Sequence, residues 1–185
     1  MGDARDDGFR MIDEKAIFDL RVARDEVPSH GLEKQLRADA KQRAAFASRY
    51  GLEGVESLHA DVALRPWRRE GLAVSGRVTA TVVQRCVVTL EPVENAIDED
   101  IEIRFDPHPE SAPVEAEDDP PEPMPAGRAD IGRVVEEFFA LGIDPYPRKP
   151  GVVFDAGETD EADSDGDADN PFKALDALRN GRKDG

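Results

Sequence analysis

The 185 residues carry 41 acidic against 24 basic side chains, a formal charge of −17, with 39% hydrophobic and 35% charged residues. That is apolar material for one core plus solvated segments, and an average field that repels phosphate, so nucleic acid can be bound only through a local basic patch. One cysteine, Cys86, excludes an internal disulfide framework and a zinc site of several thiolates.

In chain order, residues 29–50 read as a helix, with Ala38, Ala40, Ala44, Ala45 and Ala47 favouring it and Leu32, Leu36, Phe46 and Tyr50 as a thin apolar stripe. Gly51 suits a left-handed C-terminal cap. The period then changes to two: Leu58, Ala60, Val62 and Leu64 alternate with more polar neighbours, as in a half-buried strand. After a turn at 66–71, the next strand places Leu72, Val74, Val78, Ala80 and Val82 on one face and Arg77, Thr79 and Thr81 on the other. An unbroken count extends the apolar face to Cys86, Val88 and Leu90, and Pro92 is expected to interrupt pairing. Ile97, Ile101, Ile103 and Phe105 alternate again, with Glu102 and Arg104 pointing away. Three strands on short connections predict an antiparallel meander.

Ile131, Val134, Val135, Phe138 and Phe139 follow the spacing of an amphipathic helix whose destination is the apolar face of the meander. Residues 144–151 form a proline-rich turn. Asn170 and Pro171 open a short helix with Phe172, Leu175 and Leu178 on one side and Arg179, Arg182 and Lys183 late in it. The fold class is α+β: a small antiparallel β-meander or partly closed barrel with packing helices, acidic linkers and a short C-terminal helix. The domain expectation is one α+β domain over 1–154 with an acidic, proline-rich loop at 107–127, an acidic linker at 155–169, and a short basic amphipathic segment at 170–185. Both acidic stretches hold too little to bury and are expected to stay solvated.

No constellation for catalysis emerges. His30, His59 and His108 are scattered, the glycines follow no phosphate-loop spacing, and no ligand cluster calls for a metal or other cofactor. The Asp-rich run at 160–169 lacks the glycine turn and closing glutamate of a calcium loop. Cys86 reads as a small buried apolar residue. The informative feature is a basic patch in an acidic chain: Arg65, Arg68, Arg69, Arg77 and Arg85 against Glu70 alone between Val62 and Leu90. With Trp67 among them, these arginines suit phosphate contact and base stacking on structured RNA. Pairing with the chain's own carboxylates is the equal alternative.

The run Gln84-Arg85-Cys86-Val87-Val88-Thr89-Leu90-Glu91-Pro92 resembles the central signature of the YceD family, large ribosomal RNA subunit accumulation proteins. The resemblance extends to ASRYGLEGVESLHADVAL upstream and to EEFFALGIDPYPRKPG and NPFKALDALRNGRK downstream. The family's usual C-x-x-C-Leu-Glu-Pro has Thr89 at its second cysteine here, as in alphaproteobacterial members, which speaks against metal binding at the motif. The resemblance implies a bacterial, cytoplasmic, non-enzymatic factor supporting 23S rRNA accumulation. Two partners follow: large-subunit rRNA or a precursor particle touched by the arginines and Trp67, or a basic ribosomal protein or assembly factor escorted by the acidic segments, with Phe172, Leu175 and Leu178 as a docking helix. Neither a membrane nor DNA is expected as a partner.

Overall fold

The computed structural model describes residues 15–111 and 119–152. Its centre is an antiparallel meander of three long strands, β3 (Gly54–Trp67), β4 (Gly71–Arg85) and β5 (Pro92–Asp106). β2 (Leu32–Arg37) pairs antiparallel with β3, and β6 (Glu122–Pro123) pairs parallel with the end of β5, giving an open sheet in the order β2-β3-β4-β5-β6. A separate ribbon joins β1 (Arg21–Ala23) to β7 (Arg128–Asp130). Two helices complete the body, α1 (Ala40–Tyr50) and α2 (Ile131–Leu141). The class is α+β, and of the two expected forms the open meander is the one present.

The period-two pattern sets the register. Even-numbered residues of β3 and β4 and odd-numbered residues of β5 face inward, with Leu64 opposite Val74, Leu72 opposite Phe105 and Ala80 opposite Ile97. Leu58, Leu64, Leu72, Val74, Val78, Val82 and Ile101 are buried there. α2 lies on this face as its spacing predicts, burying Ile131, Val134, Val135 and Phe139 and leaving Phe138 partly covered. Phe139 meets Phe46 of α1 edge to face, ring centroids 4.8 Å apart, and Phe18 and Tyr50 extend the aromatic cluster. α2 opens with Asp130 accepting from the Arg133 N–H at 3.1 Å. Glu136, nearly buried within α2, is held by the Arg49 guanidinium and by the Ile17 N–H at 3.3 Å, tying both helices to the N-terminal segment.

Three expectations are corrected. The helix expected over 29–50 begins only at Ala40, and its first part is β2. Leu32 and Leu36 are four apart, so they share a face in a helix and equally in a strand. Pairing with β3 along its whole length satisfies the backbone groups on one side of β2, and tertiary context overrides propensity. The true start was written as Asp39-x-x-Gln42: Asp39 accepts from the Gln42 N–H at 2.8 Å and Gln42 accepts from the Asp39 N–H at 3.0 Å, a capping box. Gly51 closes the helix at φ 64°, as expected.

Secondly, β4 does not run on to Leu90. It ends at Arg85, and the chain turns through residues 86–91, with Cys86 donating to Glu91 O and Leu90 to Cys86 O, each at 2.9 Å. Cys86 is buried, Val88 half-buried, and Leu90 points outward at φ 61° and 66% exposure. Thirdly, Pro92 opens β5 opposite Arg85. A proline needs no N–H at the first position of a strand, so it starts the pairing it was expected to interrupt.

Candidate functional site

The outward face of the sheet holds the candidate arginines. Since inward positions on β3 and β4 are even, Arg65, Trp67, Arg77 and Arg85 all lie on the other side. The register sets Arg65 opposite Ala73, and Ala73 opposite Arg104 of β5, so two arginines flank a small residue across three strands. Trp67 lies two residues along from Arg65, where β3 ends. Opposite it is Gly71, on which a Cβ would come 2.8 Å from the indole ring, so the absence of a side chain lets the ring lie over the strand. In the turn, Arg68 adopts φ 52° and folds back with its guanidinium 4.1 Å from the ring centroid; that of Arg104 lies at 5.9 Å. Both distances are within cation–π range. Arg65, Arg68 and Arg69 are exposed.

Arg77 and Arg85 stand elsewhere, against carboxylates. Arg77 Nε lies 3.0 Å from Asp100 and 3.1 Å from Asp98, and its hydrogen bond to Asp100 followed by the two negative charges raises its pKa. Arg85 donates to Glu53 through Nε at 2.9 Å and Nη2 at 2.5 Å. The six candidates thus divide into a cluster of Arg65, Trp67, Arg68 and Arg69 at the β3–β4 hairpin and two ion-paired arginines further along the sheet. Arg104 belongs with the first group and was missed as a candidate. Its place on the polar face was legible, but only the β4–β5 register puts it beside Trp67.

The signature residues form a second construction. Gln84, buried at the end of β4, donates to Asp144 O at 2.8 Å and accepts from Asn95 Nδ2 at 2.8 Å. Val87 donates to Pro147 O at 2.9 Å, and Lys149 Nζ lies 2.7 Å from Glu91. Cys86 Sγ accepts from the Thr89 and Lys149 N–H groups, each at 3.5 Å. The Thr89 hydroxyl and these N–H groups favour the thiolate more than burial opposes it, pulling the Cys86 pKa from 9.0 down to about 6. Gln84, Cys86, Val87 and Glu91 therefore fasten the β4–β5 turn to residues 144–149, Thr89 bonds within the turn, and Pro92 starts the next strand. Leu90 and Val87 stay exposed at this junction, as does Tyr146.

Phe172, Leu175 and Leu178 lie outside the described residues. Among the described residues no group of three His, Cys, Asp or Glu side chains is placed to hold a metal ion, and no helix is long and apolar enough to cross a membrane.

No curated protein and no solved structure matches the chain. A family model described as large ribosomal RNA subunit accumulation protein YceD matches residues 74–179, from near the start of β4 through the signature turn and α2. Arg77, Arg85, Arg104 and the whole signature turn lie within that span, whereas Arg65, Trp67, Arg68 and Arg69 precede it. With more than half of its length matched, the chain belongs to the YceD family, the large ribosomal RNA subunit accumulation proteins.

Proposed function

We propose that this protein acts without catalysis, in the cytoplasm, in building the large ribosomal subunit, and that it contacts the subunit's rRNA or a precursor particle through the β3–β4 hairpin. The observation carrying this reading is the juxtaposition of Arg68 and Arg104 with the half-buried Trp67 ring, with Arg65 on the same face two residues along β3. An indole edged by guanidinium groups offers a stacking surface and phosphate donors within one patch. A chain of charge −17 can attract RNA only where positive charge is concentrated in this way, and its remaining acidity disfavours contact elsewhere. Arg77 and Arg85 stand apart from the ring, against Asp98, Asp100 and Glu53. In this reading residues 1–154 form the folded body, residues 155–169 a tether, and residues 170–185 an auxiliary contact.

The test is crosslinking of the tagged full chain in cells, followed by sequencing of bound RNA, for wild type and for Trp67→Ala combined with Arg65→Glu and Arg104→Glu. Wild type is expected to give crosslinks confined to a few positions on large-subunit rRNA, lost in the triple variant. Arg77→Glu with Arg85→Glu is expected to keep them. Crosslinks that survive the triple variant while its circular dichroism stays native would overturn the hairpin as the contact.

A further inference from the structure

Among the described residues, the sheet has a long edge without a partner strand. β5 pairs with β4 from Pro92 to Phe105, but on its other side, among the described residues, β6 takes up only Phe105 and Asp106. Among the described residues, no backbone hydrogen bond closes that side between residues 96 and 102. In an antiparallel strand alternate N–H and C=O groups point to each side, so this stretch presents a row of donors and acceptors that none of the described residues meets.

The side chains beside this row choose its partner. Asp98, Asp100 and Glu102 occupy successive outward positions and are exposed, with Arg77 meeting the first two from the β4 side only. Where β6 begins, the edge opens into a groove of about 530 Å³ lined by Glu102, Asp119 and Glu122 together with Ile103, Arg104 and Phe138. A second copy of this chain would bring the same acidic row against itself, because like charges across adjacent strands repel. A strand bearing alternate lysines or arginines would set them beside Asp98, Asp100 and Glu102. An apolar residue of that strand would reach Phe138.

We propose that the β5 edge binds an extended, Lys/Arg-rich polypeptide segment by strand addition, with residues 96–102 supplying the backbone ladder and Asp98, Asp100 and Glu102 selecting for positive charge. This surface is distinct from the hairpin and does not depend on RNA being bound there.

The test uses the full chain and a twelve-residue peptide alternating lysine with threonine and valine. Its control has the same lysines but proline at alternate positions, removing the N–H donors. The alternating peptide is expected to protect amides of residues 96–102 from hydrogen exchange and to bind at least about tenfold more tightly than the proline peptide. Asp98→Lys with Glu102→Lys should abolish this protection. Asp98→Asn with Glu102→Gln, which keeps shape, should weaken binding by about tenfold. Equal affinity for the two peptides would overturn the proposal, since charge alone would then suffice. So would protection mapping outside β5, absence of binding, self-association that protects residues 96–102 without peptide, or an RNA oligonucleotide protecting the same amides. Loss of peptide protection with rRNA crosslinking retained, or the reverse, separates this surface from the hairpin contact.

Discussion

Cys86 shows how much a single residue's role depends on its neighbours. As a lone thiol on an apolar face it reads as core filling, and it is buried. Yet its sulfur accepts from the N–H groups of Thr89 and Lys149, residues three and sixty-three positions away, and the Thr89 hydroxyl adds to them. Thr89 stands where the family pattern carries a second cysteine, and here it serves the first. Absorbance of the thiolate near 240 nm, followed against pH, should rise with a midpoint at about 6, not 9.0. Since the folded pKa lies below the unfolded one, the stability linked to this group is complete above about pH 9, shrinks as pH falls, and is gone below about 6. The unfolding midpoint of Cys86→Ser should lack this component between those limits, and an identical pH dependence in wild type and variant would contradict it. Arg77 gives the opposite lesson. Its ion pairs with Asp98 and Asp100 are exposed on both sides and screened by solvent. Arg77→Ala should leave the thermal midpoint unchanged, and a clear drop would mean that the bridge is stronger than its exposure allows.

Among the elements, α1 and β2 divide a stretch whose composition favours helix throughout. The division point is the reciprocal Asp39–Gln42 cap, which satisfies two backbone N–H groups that the first turn of a helix leaves open. Asp39→Ala should cost about 1 kcal/mol in denaturant unfolding, with Asp39→Asn close to wild type. No change on Asp39→Ala would place the helix start elsewhere. β2 tolerates its helix-favouring residues because each is paired with β3, and because Leu36 points to the core from the strand. The β4–β5 turn is the converse case. An apolar run that reads as a continuing strand is bent at Cys86, since residues 144–149 need the backbone there and the turn closes on its own hydrogen bonds.

For the molecule as a whole, charge is organised by surface. The hairpin end sets Arg68 and Arg104 against Trp67 with Arg65 and Arg69 nearby in the chain, while the outward side of β5 carries Asp98, Asp100 and Glu102. Such a separation gives RNA contact a definite salt dependence. With three or four phosphates met by the hairpin arginines, the logarithm of the affinity for a single-stranded segment of large-subunit rRNA should fall against the logarithm of salt concentration with a slope of about −2 to −3, and Arg65→Gln should reduce that slope by about 0.7. A slope near zero, or one unchanged in Arg65→Gln, would place the contact on another face.

The α+β class, the inward residues of three strands and of α2, the Gly51 cap and the family, through its signature turn, were legible from the residues alone. Those properties reside in local period and in short motifs, which a chain carries before it folds. That 32–37 is a strand, that Arg104 joins Trp67 while Arg77 and Arg85 meet carboxylates, and that Cys86 accepts from the Lys149 N–H emerged from the folded chain. Each of these depends on register between strands or on contact across many residues, and a helix and a strand that share one apolar spacing can be told apart only by what they pack against.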